Sequence, residues 1–256
     1  MFPSNTEFCP VFTEFFCPLL KPIPPSCPLV AMRAWNLYFI TDSRLTKKSV
    51  LEDAEAAVDA GVRAMQFREK NTDSRTMAET AKKLKKICAG RADFIVDDRL
   101  DIALASDADG LHVGEDDLDV EDIRKHFSGI LGYTVHSVER AKEADGFDID
   151  YLSLGHIFPT TTKHHEMPPL GLGVLEGVRS VVSKPLGAIG GINAKNVESV
   201  IRAGADFACM VSEIACAENV REKAAQIGAL IQNAKASPEK ANIWRCNLEA
   251  SGKSQP

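Results

Sequence analysis

A loop rich in hydroxyl groups and ending in a lysine is the strongest chemical feature of the sequence. Thr160, Thr161 and Thr162 precede Lys163, and they follow the apolar residues 151–154, which predict a buried strand. Threonine hydroxyls donate hydrogen bonds and the ammonium group adds charge, so this loop suits a phosphate or a diphosphate. An ordinary polar connection between two elements is the alternative, and these residues alone do not separate the two interpretations.

Cations follow a second predicted strand, which spans residues 62–67. The alternation of side chains along an extended backbone places Gln66, Arg68 and Lys70 on one side. The same alternation directs the intervening Phe67 and Glu69 to the other side. An amide and two cations are therefore expected to point together at the end of this strand.

Carboxylates follow the third and fourth predicted strands. Asp98 comes after residues 94–96, and Asp116 and Asp117 come after residues 110–113. Taken singly, Asp98 could cap a helix, and the other two could lie in a solvated turn. Carboxylates on neighbouring strand ends, close to two cations, suit instead a Mg²⁺ ion that is shared with ligand phosphates.

Glycines and small polar groups follow the last two predicted strands. Gly190 and Gly191 come after residues 185–189, and Val211 and Ser212 end the strand that begins at 207. Glycine lets backbone N–H groups approach a phosphate closely, although a plain tight turn would have the same composition. Two anion-binding regions are thus predicted, and two phosphorylated reactants facing one another would suit a transferase.

The elements that must position these residues form a regular alternation. Eight short apolar segments, the first at residues 35–40, alternate with segments of helical periodicity. Parallel strands need crossovers of this length, so the pattern predicts an α/β protein with a single (β/α)₈ TIM barrel. An open doubly wound sheet would normally show a glycine-rich turn after the first strand, where residues 41–43 read Thr-Asp-Ser. Helix caps are predicted at Ser49, Asp119, Ser137 and Asn193.

Composition excludes several classes of partner. The formal charge is −6, from 30 basic and 36 acidic residues, which argues against a general affinity for nucleic acid or anionic membranes. No apolar run approaches the roughly 20 residues that cross a bilayer. The seven cysteines include no C-x-x-C pair, and this scatter predicts a protein of the reducing cytoplasm. The sequence leaves open whether the chain forms a homo-oligomer.

The two ends of the chain differ from the predicted barrel, which spans residues 32–234. Residues 1–31 contain seven of the 13 prolines, and we expect a poorly ordered extension there. A translation start at Met32 is the alternative. Residues 235–256 are polar and are expected to form a C-terminal tail.

Six motifs together resemble thiamine phosphate synthase and its relative, the thiazole tautomerase. They occur between Trp35 and Ala234, each at a predicted strand end, and they read LYFITD (37–42), QFREK (66–70), DRLD (98–101), HVG (112–114), FPTTTK (158–163) and IGGI (189–192).

The resemblance implies a barrel that joins an aminopyrimidine diphosphate to a thiazole phosphate, giving thiamine phosphate and diphosphate. In this family the diphosphate leaves first, and the thiazole nitrogen captures the resulting pyrimidine cation. The motifs imply small phosphorylated substrates and a Mg²⁺ cofactor.

The residues implied to hold the pyrimidine diphosphate are Gln66, Arg68, Lys70 and Lys163, of which the three cations are the implied catalytic residues. Those implied to bind the metal are Asp98 and Asp117. Those implied to seat the thiazole phosphate are Thr160, Thr162, Gly191, Val211 and Ser212. Asp97 and Thr134 complete the implied substrate-binding set.

Three positions depart from the family pattern, which usually has Asn at Asp97, Gln at Glu115 and Ser at Thr134. Thr134 keeps the hydroxyl group, but the two acids add negative charge where a diphosphate should bind. Two alternatives stand beside the synthase, and the two acids support only the second of them. One is the tautomerase, whose proton-transfer histidine would be His156, and the other is a barrel that only binds thiamine-related phosphates.

Overall fold

The chain folds into a closed barrel of eight parallel strands. The computed structural model describes residues 35–162 and 167–237. The strands pair in sequence order, and β8 returns to β1, which confirms the predicted (β/α)₈ architecture. They are β1 Leu37–Ile40, β2 Ala64–Phe67, β3 Asp93–Asp97, β4 Gly110–Val113, β5 Ile130–Val135, β6 Tyr151–Gly155, β7 Leu186–Ile189 and β8 Phe207–Met210.

Helices connect consecutive strands and surround the barrel. Within the described part of the chain they are α1 Val50–Asp59, α2 Ser74–Cys88, α3 Leu100–Ser106, α4 Val120–Arg124, α5 Val138–Ala144, α6 Gly171–Val181, α7 Val197–Arg202, α8 Ser212–Ala215 and α9 Val220–Ala236. The short helix α8 adds a second helix after β8.

The predicted helix caps are confirmed at two positions of four. The Ser49 hydroxyl accepts from the Glu52 N–H of α1 at 3.2 Å, and the Ser137 hydroxyl accepts from the N–H of Arg140 in α5 at 3.1 Å. The prediction for α7 was wrong, because Asn196 occupies the N-cap position and Asn193 lies in the turn before it.

Asp119 occupies the N-cap position of α4, but its side chain makes no capping hydrogen bond. Its contribution to that helix is therefore limited to the favourable interaction of a negative charge with the helix N-terminus.

Alternation along each strand divides the apolar side chains between two cores. The larger core lies between strands and helices and includes Leu152 and Leu154 of β6. The smaller core fills the barrel itself with aromatic rings from Trp35, Tyr151 and Phe207. Because these rings fill the barrel interior, we expect a ligand to enter at the carboxyl ends of the strands.

The last residues of helix α9 contact the chain just before β1, at the amino end of that strand. The Lys235 ammonium donates to the carbonyl of Trp35 at 2.9 Å and to Oδ1 of Asn36 at 2.7 Å. The helix extends two residues beyond the predicted barrel boundary at 234. Burial lowers the pKa of Lys235.

Three sequence-based predictions concern residues outside those described: the extension 1–31 with Met32, most of the tail 235–256, and the role of Lys163. They stay predictions. Among the described helices, none combines the length and the apolar character that a bilayer crossing requires.

Candidate active site

The carboxyl ends of the strands surround a cavity of about 420 Å³. Loops that follow β2, β3, β4, β6, β7 and β8 all contribute to its wall. Apart from Lys163, which lies outside the described residues, every predicted site residue lines this one cavity: Gln66, Arg68, Lys70, Asp97, Asp98, Asp117, Thr134, Thr160, Thr162, Gly191, Val211 and Ser212.

The cations after β2 lie among carboxylates from neighbouring strands. Nη1 of Arg68 lies 3.0 Å from Oδ2 of Asp42, which follows β1, and its Nε lies 3.7 Å from Oδ2 of Asp97. Lys70 contacts Oδ2 of Asp97 at 3.4 Å and forms a second ion pair with Asp98. The predicted alternation is confirmed, because Phe67 packs into the outer core while Gln66, Arg68 and Lys70 line the cavity.

Asp98 does not cap the helix that follows it. Arg99 occupies the N-cap position of α3, and Asp98 instead adopts a left-handed backbone conformation with φ of 58°. Its N–H donates to the carbonyl of His112 at 2.8 Å. This conformation is rare for residues other than glycine, and here it accompanies a carboxylate that lines the cavity.

Asp117 belongs to the same acidic wall. Its Oδ2 accepts from the N–H of Gly114 at 2.7 Å. Burial raises the pKa of Asp117, and the adjacent Asp98 carboxylate raises it further through its charge and a shared hydrogen bond. The Asp98 carboxylate thus disfavours ionisation of Asp117, a repulsion that a bound cation would relieve.

Asp97 is the most perturbed acid in this wall. Its side chain is 12% exposed. Burial, followed by the charge of Asp98, raises the pKa of Asp97 to about 7, although Lys70 and Arg68 act in the opposite direction. Two cations therefore offset part of the charge of this extra acid.

Glu115, the second departure from the family pattern, is also paired. Its Oε1 accepts from the His136 N–H at 3.1 Å and lies the same distance from Nδ1 of that residue. Oε2 lies 3.8 Å from Nε of Arg140. These contacts draw the carboxylate toward the loop after β5.

Glycines form the wall after β7. Gly190 and Gly191 have φ values of 99° and 65°. A Cβ atom on Gly191 would lie 2.5 Å from the carbonyl oxygen of Pro159, so the β7 loop packs directly on the loop after β6. That second loop is folded on itself, because Oγ1 of Thr160 accepts from the N–H of Thr162 at 3.3 Å.

Residues that sequence reasoning did not assign to the site also line the cavity: Tyr38, His112, Ser153 and Cys209. Asp42, which pairs with Arg68, is another residue without a predicted role. His112 hydrogen-bonds Thr134 and Tyr151, and burial lowers the pKa of His112 to about 4. The signal that would have found Tyr38 and Ser153 is side-chain alternation continued backward into the strands from their carboxyl ends.

Taken together, fold and site define a class of protein: a (β/α)₈-barrel enzyme whose mouth combines cations, closely spaced carboxylates and a glycine-lined wall. Known proteins of this class narrow the assignment. The family model described as thiamine monophosphate synthase matches residues 37–214.

Named relatives agree with the family model. The thiamine-phosphate synthase of Methanosarcina mazei is 40% identical over 202 residues, which cover 78% of this chain and 84% of the relative. That of Chloroflexus aurantiacus is 42% identical over 201 residues, covering 77% and 93%. The structure of thiamine phosphate pyrophosphorylase from Pyrococcus furiosus superposes with a TM-score of 0.74 and 35% identity, over 80% of this chain and 98% of that one.

The chain belongs to the thiamine monophosphate synthase family. It is accordingly an enzyme of the transferase class.

Proposed function

We propose that this enzyme is a Mg²⁺-dependent thiamine-phosphate synthase. It would join hydroxymethylpyrimidine diphosphate to a thiazole phosphate and release thiamine phosphate and diphosphate. The observation that carries the proposal is the convergence of Arg68, Lys70, Asp98 and Asp117 on one wall of a cavity whose other wall is the glycine-rich β7 loop.

The cationic wall suits a departing diphosphate. When the bond between the pyrimidine methylene carbon and the diphosphate oxygen breaks, its electron pair stays on the diphosphate, where negative charge increases. Arg68 and Lys70 stabilise that charge because they are already held by Asp42, Asp97 and Asp98 and need little reorganisation. The lone pair of the thiazole nitrogen then forms the new carbon–nitrogen bond.

The acidic wall fits a magnesium ion. Asp98 and Asp117 are close enough to share a hydrogen bond, and each comes from a different strand end. Mg²⁺ typically binds one or two carboxylates and takes its other ligands from water and phosphate oxygens. When bound, the ion would supply positive charge to the diphosphate leaving group.

The opposite wall suits the second phosphate. Hydroxyl groups of Thr160 and Thr162 line it with Gly191, Val211 and Ser212. Positive φ at Gly191 brings the backbone of the β7 loop against the β6 loop. We assign these residues to the thiazole phosphate, and we assign Lys163, on the family resemblance, to the pyrimidine diphosphate.

The synthase is favoured over the two alternatives. His156 is buried at the cavity wall, but this position does not distinguish a synthase from a tautomerase. The curated relatives are named thiamine-phosphate synthase at 40% and 42% identity. The argument for a barrel that only binds phosphates rested on Asp97 and Glu115, and both acids are paired with cations.

Free thiols support a reducing cytoplasm as the location. Among the described cysteines, Cys88 and Cys209 are buried thiols and Cys216 is an exposed one. An oxidising compartment would favour disulfide formation instead.

A direct assay for the joining of the two substrates tests the proposed function. The enzyme is incubated with both phosphorylated substrates, with Mg²⁺ or with a chelator, and the mixture is separated by chromatography. Thiamine phosphate should form only with Mg²⁺, and Asp117→Asn should require a higher Mg²⁺ concentration for half-maximal rate. Product in the presence of chelator would exclude the metal role, whereas isomerisation of a thiazole phosphate without Mg²⁺ would identify a tautomerase.

A further inference from the structure

A continuous chain of hydrogen bonds crosses the inside of the barrel beneath the cavity. Nε2 of Gln66 lies 3.2 Å from Oη of Tyr38, which lies 2.9 Å from Oη of Tyr151. Oη of Tyr151 lies 2.9 Å from Nδ1 of His112, and Nε2 of His112 lies 2.7 Å from Oγ1 of Thr134. We call these five residues the interior chain; they come from five different strands, and both ends line the cavity.

Packing holds the three middle residues in place. Tyr38 and Tyr151 are at most 1% exposed, and the ring of Trp35 packs on both at 5.4 and 5.2 Å. A Cβ atom at Gly132 would lie 2.1 Å from Cζ of Tyr151, so this glycine makes the space that the phenol occupies. The rings therefore have little freedom to exchange hydrogen-bond partners.

The interior chain has a direction. The Gln66 amide nitrogen can only donate, so Oη of Tyr38 accepts from it and gives its own proton to Tyr151. Tyr151 in turn donates to Nδ1 of His112. Because Nδ1 accepts this bond, the ring proton lies on Nε2 and is donated to Thr134.

The two cavity-lining ends consequently differ. Gln66 commits one N–H of its amide group to Tyr38, which fixes the orientation of the amide, and it keeps its carbonyl oxygen, an acceptor, beside its second N–H for a ligand. Thr134 accepts from His112 and is left with its hydroxyl proton, a donor. Reversing either end would require every bond of the chain to reverse, or would leave a buried group unpaired, which is costly.

We propose that the interior chain fixes the hydrogen-bonding polarity of the pyrimidine site and thereby selects an aminopyrimidine over its deaminated, oxo counterpart. An aminopyrimidine offers an exocyclic N–H donor and ring-nitrogen acceptors, which complement an acceptor at Gln66 and a donor at Thr134. An oxo group in place of the amino group would face the Gln66 carbonyl, acceptor against acceptor. Tyr38, Tyr151 and His112 act as positioning residues. The proposal rests on the proposed function and names the residues that set its specificity.

Removing the central hydroxyl tests the role. In Tyr151→Phe, Tyr38 loses its hydrogen-bond acceptor and His112 loses its donor. The Tyr38 hydroxyl can then donate to Gln66, so the Gln66 amide is free to rotate by about 180° and exchange its oxygen and nitrogen positions. We expect KM for the aminopyrimidine diphosphate to rise about tenfold, and the preference for the amino over the oxo substrate to fall by about the same factor, as for the loss of one buried hydrogen bond. KM for the thiazole phosphate should stay within about twofold, because that substrate does not contact the interior chain. Tyr38→Phe should behave in the same way.

Tyr133→Phe is the matched control. Tyr133 lies on β5, and its hydroxyl accepts from Nη2 of Arg140 at 2.6 Å outside the barrel interior. This variant also loses one tyrosine hydrogen bond, but its substrate preference should equal that of the wild type. If Tyr151→Phe loses thermal stability as the control does and keeps the wild-type preference, the interior chain is only structural and the proposal is wrong.

A measurement on the wild-type enzyme tests the direction without any variant. Nitrogen-15 NMR of histidine-labelled enzyme reports which ring nitrogen of His112 carries the proton. A proton on Nε2 supports the assignment, and a proton on Nδ1 reverses the chain and overturns it. Failure of the proposed function would look different: the wild type would form no thiamine phosphate, while the His112 tautomer would be unaffected.

Discussion

Asp42 and Arg68 form an ion pair across the first two strand ends, with Oδ2 of the acid 3.0 Å from Nη1 of the guanidinium. Asp42 is 2% exposed, whereas the Arg68 side chain is 20% exposed at the cavity wall. Burial alone would raise the pKa of Asp42, but hydrogen bonds from Arg44 and the charges of Arg44 and Arg68 outweigh it, so this pKa is lowered. A buried anion thus holds the arginine where the diphosphate is proposed to bind.

Weakening this anchor should impair catalysis while the fold survives. In Asp42→Asn the side chain keeps its size but loses the charge that orients Arg68. We expect kcat/KM for the pyrimidine substrate to fall about tenfold or more, since one partner of a partly buried charged hydrogen bond is lost. Steady-state kinetics measure this, with circular dichroism to confirm folding. Asp145→Asn is a suitable control, because Asp145 bonds Ser183 after helix α6, away from the cavity. Equal kinetics in Asp42→Asn and wild type would contradict the anchoring role.

Asp97 should make stability depend on pH. Its pKa is raised from 3.8 to about 7 in the folded state, so ionisation opposes folding. The contribution of Asp97 to stability is complete below pH 3.8 and is lost as pH rises to about 7. Asp97→Asn cannot ionise, and in metal-free buffer its Tm relative to wild type should increase across that window. A pKa raised from 3.8 to about 7 limits the gain in unfolding free energy of Asp97→Asn to about 4 kcal/mol, and the lost contacts with Arg68 and Lys70 make the gain smaller.

Asp42→Asn provides the opposite control for this experiment. The pKa of Asp42 is lowered, so its contribution to stability is present at neutral pH and is lost as pH falls below its unfolded value. Relative to wild type, this variant should therefore be least stable near neutral pH. If the Tm difference from wild type changes with pH in the same way in both variants, Asp97 is not the group that makes stability fall between pH 3.8 and about 7.

The loops after β6 and β7 pack so closely at Gly191 that a side chain there should be destabilising. In Gly191→Ala the new Cβ would lie 2.5 Å from the Pro159 oxygen, at a φ of 65°. We expect a loss of about 1–3 kcal/mol in unfolding free energy and a higher KM for the thiazole phosphate. Denaturant unfolding and kinetics measure the two effects. Gly173→Ala, in helix α6 with no atom within 4 Å of the new Cβ, should instead stabilise by up to about 1 kcal/mol. Unchanged stability and KM in Gly191→Ala would show that the loops can separate freely.

Lys163 should be required for coupling although it lies outside the described residues. Its place after three threonines predicts a contact with the leaving diphosphate. Lys163→Ala should reduce kcat by about 100-fold or more, as for loss of a group that stabilises developing charge. Lys125→Ala, which removes a surface ammonium paired with Asp122 at 2.6 Å, should leave kcat unchanged. A fully active Lys163→Ala enzyme would remove this residue from the catalytic set.

Local pattern was sufficient to predict the barrel, and together with the family resemblance it pointed to residues that line its mouth. Strand periodicity, crossover length and the caps at Ser49 and Ser137 all depend on residues close in sequence. The cavity contains Gln66, Arg68 and Lys70 together because alternation along one strand is a local property. Asn193 was mistaken for a cap because two asparagines three residues apart offer the same chemistry, and only the backbone shows which one ends the turn.

Pairings between distant strands were decided by the tertiary structure alone. The sequence indicated that Asp97 and Glu115 add negative charge, but it did not show that Lys70, Arg68 and Arg140 compensate them, since these contacts depend on strand order and barrel closure. His112 had no predicted role, because its partners Tyr151 and Thr134 come from other strands. The sequence thus determined which side chains lie at the carboxyl ends of the strands. Closure of the barrel determined which of those side chains contact one another, because hydrogen bonds and ion pairs act only over a few ångströms.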